Sequence, residues 1–239
     1  MFDQWNTSSS LKSKLHSGDL VFGAWVSYSD PSIIDTFSKM DVDFIGIDYE
    51  HTCMTPREVS ILTAYCQSNG TACLPRPGVH DLALSKPLLE SGVDGLIFPK
   101  IETTNDVKKC IELTFYPPKG NRGVALYKAQ RYGNKLSEYI SNKSKKIELF
   151  LMIETKSGIK NLDQILKQHK KSISGTIIGL YDLSASFNLI GKIDSQLIKK
   201  QLNNYLKISK KYNVPTGIHH AIPYETSLQN KIKKEVLKS

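Results

Sequence analysis

Residues 43–68 read DFIGIDYEHTCMTPREVSILTAYCQS, and this stretch decides the fold class. Residues 43–48 are a short, nearly continuous apolar run bounded by aspartates. That is the pattern of a strand buried on both faces of a parallel sheet. The run ends in a polar tip, Asp48-Tyr49-Glu50-His51. Thr55-Pro56 follows, a helix N-cap residue with proline at the first helical position. It opens a helix over 56–68, with Gly70 as its stop. Strand, polar tip and capped helix together make one β/α unit.

The same unit recurs along the chain. Strands are expected at 20–26, 43–48, 72–76, 95–99, 148–154, 176–180 and 216–219. Helices are expected at 31–40, again behind an Asp-Pro pair, and at 56–68, 82–91, 105–115, 158–168, 195–212 and 224–237, with shorter ones at 11–16 and 135–145. Repeated β-then-α order specifies a parallel α/β fold. One connection breaks the rhythm: residues 116–132 contain Pro117-Pro118 and two glycines, Gly120 and Gly123, with little periodicity, and long loops of that kind are usually functional. No linker or composition shift marks a boundary, so residues 1–239 are expected to form a single domain.

Length and composition narrow the function classes. The chain has 239 residues, slightly short for a (β/α)8 barrel of about 250. With 40% hydrophobic and 23% charged residues, disorder is excluded. No apolar run reaches the 18 or so residues of a membrane span, and the N-terminus lacks the regions of a secretory signal; a cytoplasmic protein with no membrane partner is expected. The net charge of +9 is uneven. Residues 1–120 hold 10 basic and 15 acidic groups (−5), residues 121–239 hold 22 and 8 (+14). Only four of the 32 basic residues are Arg, and the lysines are not interleaved with stacking aromatics, so nucleic acid is not expected as a partner. Cys53, Cys66, Cys73 and Cys110 form no CxxC pair and no Cys/His metal spacing; they are read as reduced thiols, and Cys53 is not read as a nucleophile.

Chemistry in a parallel barrel gathers at the strand C-termini. Those ends carry Asp48, Glu50 and His51, then Arg76, Glu154, Asp182, and His219-His220. Two carboxylates plus water and a chelating substrate suit octahedral Mg2+ or Mn2+. Arg76 can hold a carboxylate or a developing enolate oxygen, and His51 can shuttle a proton near neutral pH. Taken singly, Glu154 or Asp182 is more often a helix cap than a ligand, so spacing alone leaves this reading open.

The same residues resemble the HpcH/HpaI-type metal-dependent class II pyruvate aldolases, from about Leu11 to about Glu225. The likeness is carried by LKSKLHSGDLVFGAWVS, DFIGIDYEH, LPRP, FYPPKGNRGV, LMIET and IIGLYDLSAS. It implies a (β/α)8 TIM-type barrel that reversibly cleaves 4-hydroxy-2-oxo acids to pyruvate and an aldehyde. By that likeness Glu154 and Asp182 hold the divalent metal (Mg2+, Mn2+ or Co2+), Arg76 stabilises the enolate, and His51 is the acid/base working through water. Glu90 falls where an acidic group raises the basicity of that histidine, and Asp48 supports the same network. The backbone at Tyr181 meets the substrate carboxylate. Met152 stands where the family has a substrate-binding Gln, Leu180 replaces a frequent Pro, and His219 replaces an apolar residue at the aldehyde end of the pocket. His219 and His220 are equally readable as structural.

Seven strands are counted, and residues 224–239 read as a lysine-rich helix. The expectation is therefore a barrel without the eighth strand and final helix, and a homo-oligomer if the barrel is completed. The alternatives to an active aldolase are an inactive or truncated family remnant, another metal-enolate carbon–carbon lyase acting on an acyl-CoA substrate, and a lysine-rich nucleic-acid-binding module.

Overall fold

The structure, a computed structural model, describes residues 7–78 and 82–220. Seven parallel strands appear among them: β1 (Gly23–Val26), β2 (Phe44–Asp48), β3 (Ala72–Arg76), β4 (Gly95–Phe98), β5 (Glu148–Ile153), β6 (Gly175–Gly179) and β7 (Thr216–His219). The helices are α1 (Thr7–Ser17), α2 (Pro31–Ser38), α3 (Pro56–Ser68), α4 (Leu82–Glu90), α5 (Thr104–Thr114), α6 (Leu136–Ser141), α7 (Lys156–His169), α8 (Leu180–Ser186) and α9 (Gln196–Tyr212). Strands lie side by side in chain order, in ladders β1-β2-β3 and β4-β5-β6-β7. Asp94 joins the ladders: its N–H donates to Cys73 O (3.0 Å), and its Oδ2 accepts the N–H of Cys73 (2.9 Å).

Local chemistry starts the helices where the sequence says. Asp30 accepts the N–H of Ser32 ahead of α2, and Thr55 and Glu58 form a reciprocal capping box at α3. Asn213, in the left-handed conformation, ends α9.

Strand alternation separates two apolar layers. Outward residues such as Ile45, Ile47, Leu96, Leu149 and Leu151 pack with Val59, Leu62, Leu162 and Ile165 of the helices. Inward residues Ala72, Leu74, Ile97, Phe150 and Met152 form the barrel interior, with Leu11 and Leu15 of α1 packed against them. Inward positions pair large with small. Trp25 on β1 faces Gly46 on β2, where an added Cβ would come within 2.6 Å of the indole.

Several expectations are corrected. β1 begins at Gly23 rather than at residue 20. The helix expected over 135–145 is shorter, because Asn142 (φ −125°, ψ −74°) ends α6 and a 3-10 turn, Lys143–Lys146, follows. That break turns Lys143 inward to meet Asp94 Oδ1 at 2.6 Å, both side chains being buried. The irregular connection after α5 contains a second 3-10 turn, Lys128–Gly133. α8, not expected, starts at the residue after β6 ends. The helix expected at 224–237, and with it the expected end of the barrel, lies outside the described residues.

Lys143→Met would strand the Asp94 carboxylate in the interior and should cost about 3–5 kcal/mol, read from urea unfolding. Adding Asp94→Asn should return much of that loss. An unchanged midpoint in the single variant would contradict the pairing.

Candidate active site

The register of β2 and β3 sets Asp48 opposite Arg76. The buried carboxylate takes the guanidinium in a fork, Nε to Oδ1 at 3.1 Å and Nη2 to Oδ2 at 2.8 Å. Asp48 Oδ1 also accepts the N–H of Glu50 (3.1 Å) and of His51 (3.3 Å), which shapes the turn after β2. Glu50 Oε2 lies 3.4 Å from Arg76 Nε and 3.6 Å from His51 Nε2. Burial raises the Glu50 carboxyl above the usual carboxylate range, with Arg76 and then His51 opposing the shift. His51 stands exposed at the rim.

Arg76 is held on its other sides by the Trp25 ring, 4.9 Å from guanidinium carbon to centroid, and by Met152 Sδ, 3.8 Å from Nη1. A thioether is a weak acceptor, so Nη1 keeps donor capacity for a substrate oxygen. Met152 itself is fully buried. The His219 ring stacks on Trp25 at 4.4 Å. Burial first, then the Arg76 charge, pushes its pKa down to about 4, so the ring is neutral at physiological pH.

Glu154 follows β5 directly. Its Oε1 accepts the N–H of Lys100 at 2.7 Å, delivered by a left-handed backbone (φ 47°) after β4. Its Oε2 is buried with no hydrogen-bond partner. Gly179, at the end of β6, makes the room: a Cβ there would lie 2.7 Å from Oε2. Thr155 anchors the carboxylate from the next position, capping α7 through Gly158 N–H (3.0 Å) and donating to Glu102 (2.7 Å). Burial pushes the Glu154 carboxyl up to about 7; the Lys100 N–H lowers it and the Asp182 charge raises it further. Asp182 is exposed in the first turn of α8. That helix has no side-chain N-cap, so the amide of Tyr181 lacks an acceptor from a capping side chain.

A buried carboxylate oxygen with no partner, beside a second carboxylate whose charge it feels, is a poor arrangement without a cation and a good one with it. Among the described residues no cluster of three or more His, Cys, Asp or Glu forms a metal cage. Glu154 and Asp182 are thus a two-carboxylate set, which suits an ion that keeps water or substrate oxygens.

The structure brings Asp48, Arg76, Met152, Glu154, Asp182 and His219 to one end of the barrel, with His51 at its rim. It gives Glu90 different partners from the one the resemblance implied. Glu90 ends α4, which runs back from the Arg76 end, and its oxygens accept from Arg122 Nε and Nη2 (3.2 and 2.9 Å) and Gln130 Nε2 (2.6 Å). Within one chain it does not support His51. Trp25, Lys100 and Gly179 are not singled out from the sequence. Glu50 is named at the end of the second strand, in the Asp-x-Glu-His segment, but with no role. The others act through backbone geometry or a ring face and leave no motif.

Comparison with known proteins identifies the family of the chain. Residues 21–216 match the family model described as HpcH/HpaI aldolase/citrate lyase. The chain is 27% identical over 209 residues to a hydroxypyruvate/pyruvate aldolase of Sagittula stellata, covering 87% of this chain and 81% of the relative. It is 33% identical over 184 residues to the protein of the same name from Deinococcus radiodurans, covering 75% and 64%. A 5-keto-4-deoxy-D-glucarate aldolase of Escherichia coli is 24% identical over 212 residues, covering 87% and 80%. Among solved structures, an HpcH/HpaI aldolase/citrate lyase family protein from Burkholderia cenocepacia superposes with a TM-score of 0.86 at 24% identity, covering 95% of this chain and 88% of that one. The fold is α/β of the TIM-barrel type. The chain belongs to the HpcH/HpaI aldolase/citrate lyase family, and by that membership it is a carbon–carbon lyase.

The neutral state of His219 is directly measurable. Its ring should titrate by NMR near pH 4 instead of near the ordinary 6.5. The fold should lose stability as pH falls from 6.5 toward 4, because the unfolded ring takes up a proton that the buried ring refuses. A midpoint at the ordinary value would contradict the burial of the ring beside Arg76.

Proposed function

We propose that this chain is a metal-dependent class II aldolase that reversibly cleaves a 4-hydroxy-2-oxo acid to pyruvate and an aldehyde. The observation that carries the proposal is the buried, unpartnered Glu154 Oε2 beside Asp182, with the Arg76 guanidinium fixed at the same end of the barrel. The names of the relatives, hydroxypyruvate/pyruvate aldolase and 5-keto-4-deoxy-D-glucarate aldolase, support the same reaction class.

Glu154 and Asp182 would hold Mg2+, Mn2+ or Co2+. Such an ion supplies Lewis acidity beside the carbonyl of a 2-oxo acid. The chain's own groups do the rest. His51, its ring near Glu50 Oε2, takes the proton of the 4-hydroxyl through water as the C3–C4 bond breaks. The aldehyde leaves, and the electron pair stays on the three-carbon fragment as the enolate of pyruvate. Arg76, held in place by Asp48, Glu50 and Trp25, presents a permanent cation to the negative oxygen without reorganising. The Tyr181 amide takes the substrate carboxylate. Met152 packs against Arg76 and offers no donor, and neutral His219 offers a polar edge to the aldehyde end.

Exposed Val124, Leu126, Tyr127 and Tyr132 on the α5–β5 connection fit a homo-oligomer. A cytoplasmic setting is in keeping with four free thiols.

The test is pyruvate release from a panel of 4-hydroxy-2-oxo acids. Activity should require Mg2+, Mn2+ or Co2+, vanish with chelator and return on re-addition. No release by the folded, metal-supplied protein would refute the reading. Arg76→Ala should cost about 3–4 kcal/mol of transition-state stabilisation, seen in kcat.

A further inference from the structure

The opposite end of the barrel holds a second polar site. Gln67 near the end of α3, Ser91 and Gly92 before β4, and Lys128, Arg131 and Lys143 in the 3-10 turns before β5 line a cavity of about 40 Å³, with Ala129 and Tyr139. All of these lie in or beside helix-to-strand connections, away from the strand C-termini that carry Asp48, Arg76 and Glu154. A water needs roughly 10–15 Å³ of such space, so the cavity has room for a small polyatomic ion and not for an organic cofactor.

Its wall is strongly cationic. Lys143 is matched by Asp94 at 2.6 Å. Lys128 is not matched: its Nζ donates to Ser60 O at 3.0 Å, and no carboxylate among the described residues pairs with it. Burial holds its ammonium below the ordinary lysine value. Arg131 reaches the cavity from a strained backbone. Arg131 (φ 48°, ψ 51°) and Tyr132 (φ 54°, ψ 35°) are two successive non-glycine residues in the left-handed region. Hydrogen bonds from Tyr132 N–H to Tyr127 O (2.8 Å) and from Tyr127 N–H to Gln130 Oε1 (3.1 Å) hold the turn in that shape. Strain of this kind collects at ligand clamps. Gly92 (φ +87°) keeps the floor open, since a Cβ there would meet Gln67 Nε2 at 3.2 Å and Ala129 Cα at 3.5 Å.

We propose that this cavity binds a small oxyanion of the phosphate class, held by Lys128 and Arg131 with the Lys143–Asp94 pair as its inner wall. The anion supplies the negative charge that Lys128 lacks beside its bond to Ser60 O, and charge-assisted bonds to both cations lock the left-handed turn. The site thereby ties the irregular α5–β5 connection to α3 and α4.

Calorimetric titration of inorganic phosphate into the metal-free full chain, at ionic strength held constant with chloride, tests this. One saturable site per chain is expected. Lys128→Met should weaken it by about tenfold or more, while Lys128→Arg stays close to wild type. Lys108→Met, on the exposed face of α5, should change nothing. Circular dichroism checks that Lys128→Met is folded; if it is not, Arg131→Gln is read in its place, with the same loss expected. Absence of saturable binding, or equal binding by the folded Lys128 and Arg131 variants, would overturn the proposal. Loss in Arg76→Ala with retention in Lys128→Met would move the anion to the active-site end and overturn it equally.

Discussion

A carboxylate buried with one oxygen satisfied and the other facing nothing is an electrostatic liability, and at Glu154 much of the surrounding backbone is arranged to create it. Oε1 is fixed by a Lys100 amide that only a left-handed turn after β4 can deliver. Oε2 is left bare in a space that only glycine at 179 keeps open. Burial and the Asp182 charge push the proton affinity of the group up into the neutral range. A side chain meant only to cap the following helix needs none of this, and Thr155 already caps α7. The bare oxygen is the observation on which the proposed cation site rests.

Arg76 presents the complementary case, a cation buried with more negative charge than it needs. Asp48 grips it in a fork, Glu50 lies within ionic reach, and Trp25 covers one face. Breaking such a pair on one side is costly, so the guanidinium is rigid before any substrate arrives. Preorganisation of that kind gives an oxyanion donor its catalytic value. The same Trp25 stacks on His219, so the first and seventh strands meet at the site through one ring.

Much of this was legible in the sequence, for physical reasons. Double-faced burial made the strands near-continuous apolar runs, and Asp-Pro and Thr-Pro pairs announced α2 and α3. The polar residues that terminate strands stood out against those runs, which is why Asp48, Arg76, Glu154 and Asp182 could be named together. What failed has equally physical causes. α8 begins without a loop at the end of β6, so no turn residues mark it. Asn142 breaks α6 by backbone conformation alone. Glu90 resembles a histidine partner by its position in the chain; within one chain, α4 carries it away from His51, and Arg122 and Gln130 take its oxygens. Lys100 and Gly179 contribute an amide and an absence of side chain, and neither leaves a pattern of residue types. The charge imbalance of the second half says nothing of where single lysines go: Lys143 is buried against Asp94, and both it and Lys128 line a cavity.

The central claim is that Glu154 and Asp182 form a divalent-cation site. Titration of Mn2+ into the metal-free protein, followed by the loss of the free-ion EPR signal, tests it without relying on turnover. The account predicts one site per chain in the wild type. In Glu154→Gln, affinity should fall beyond the roughly 10–100-fold that loss of a mere supporting partner produces. Mn2+ binding of wild-type strength in folded Glu154→Gln would contradict it.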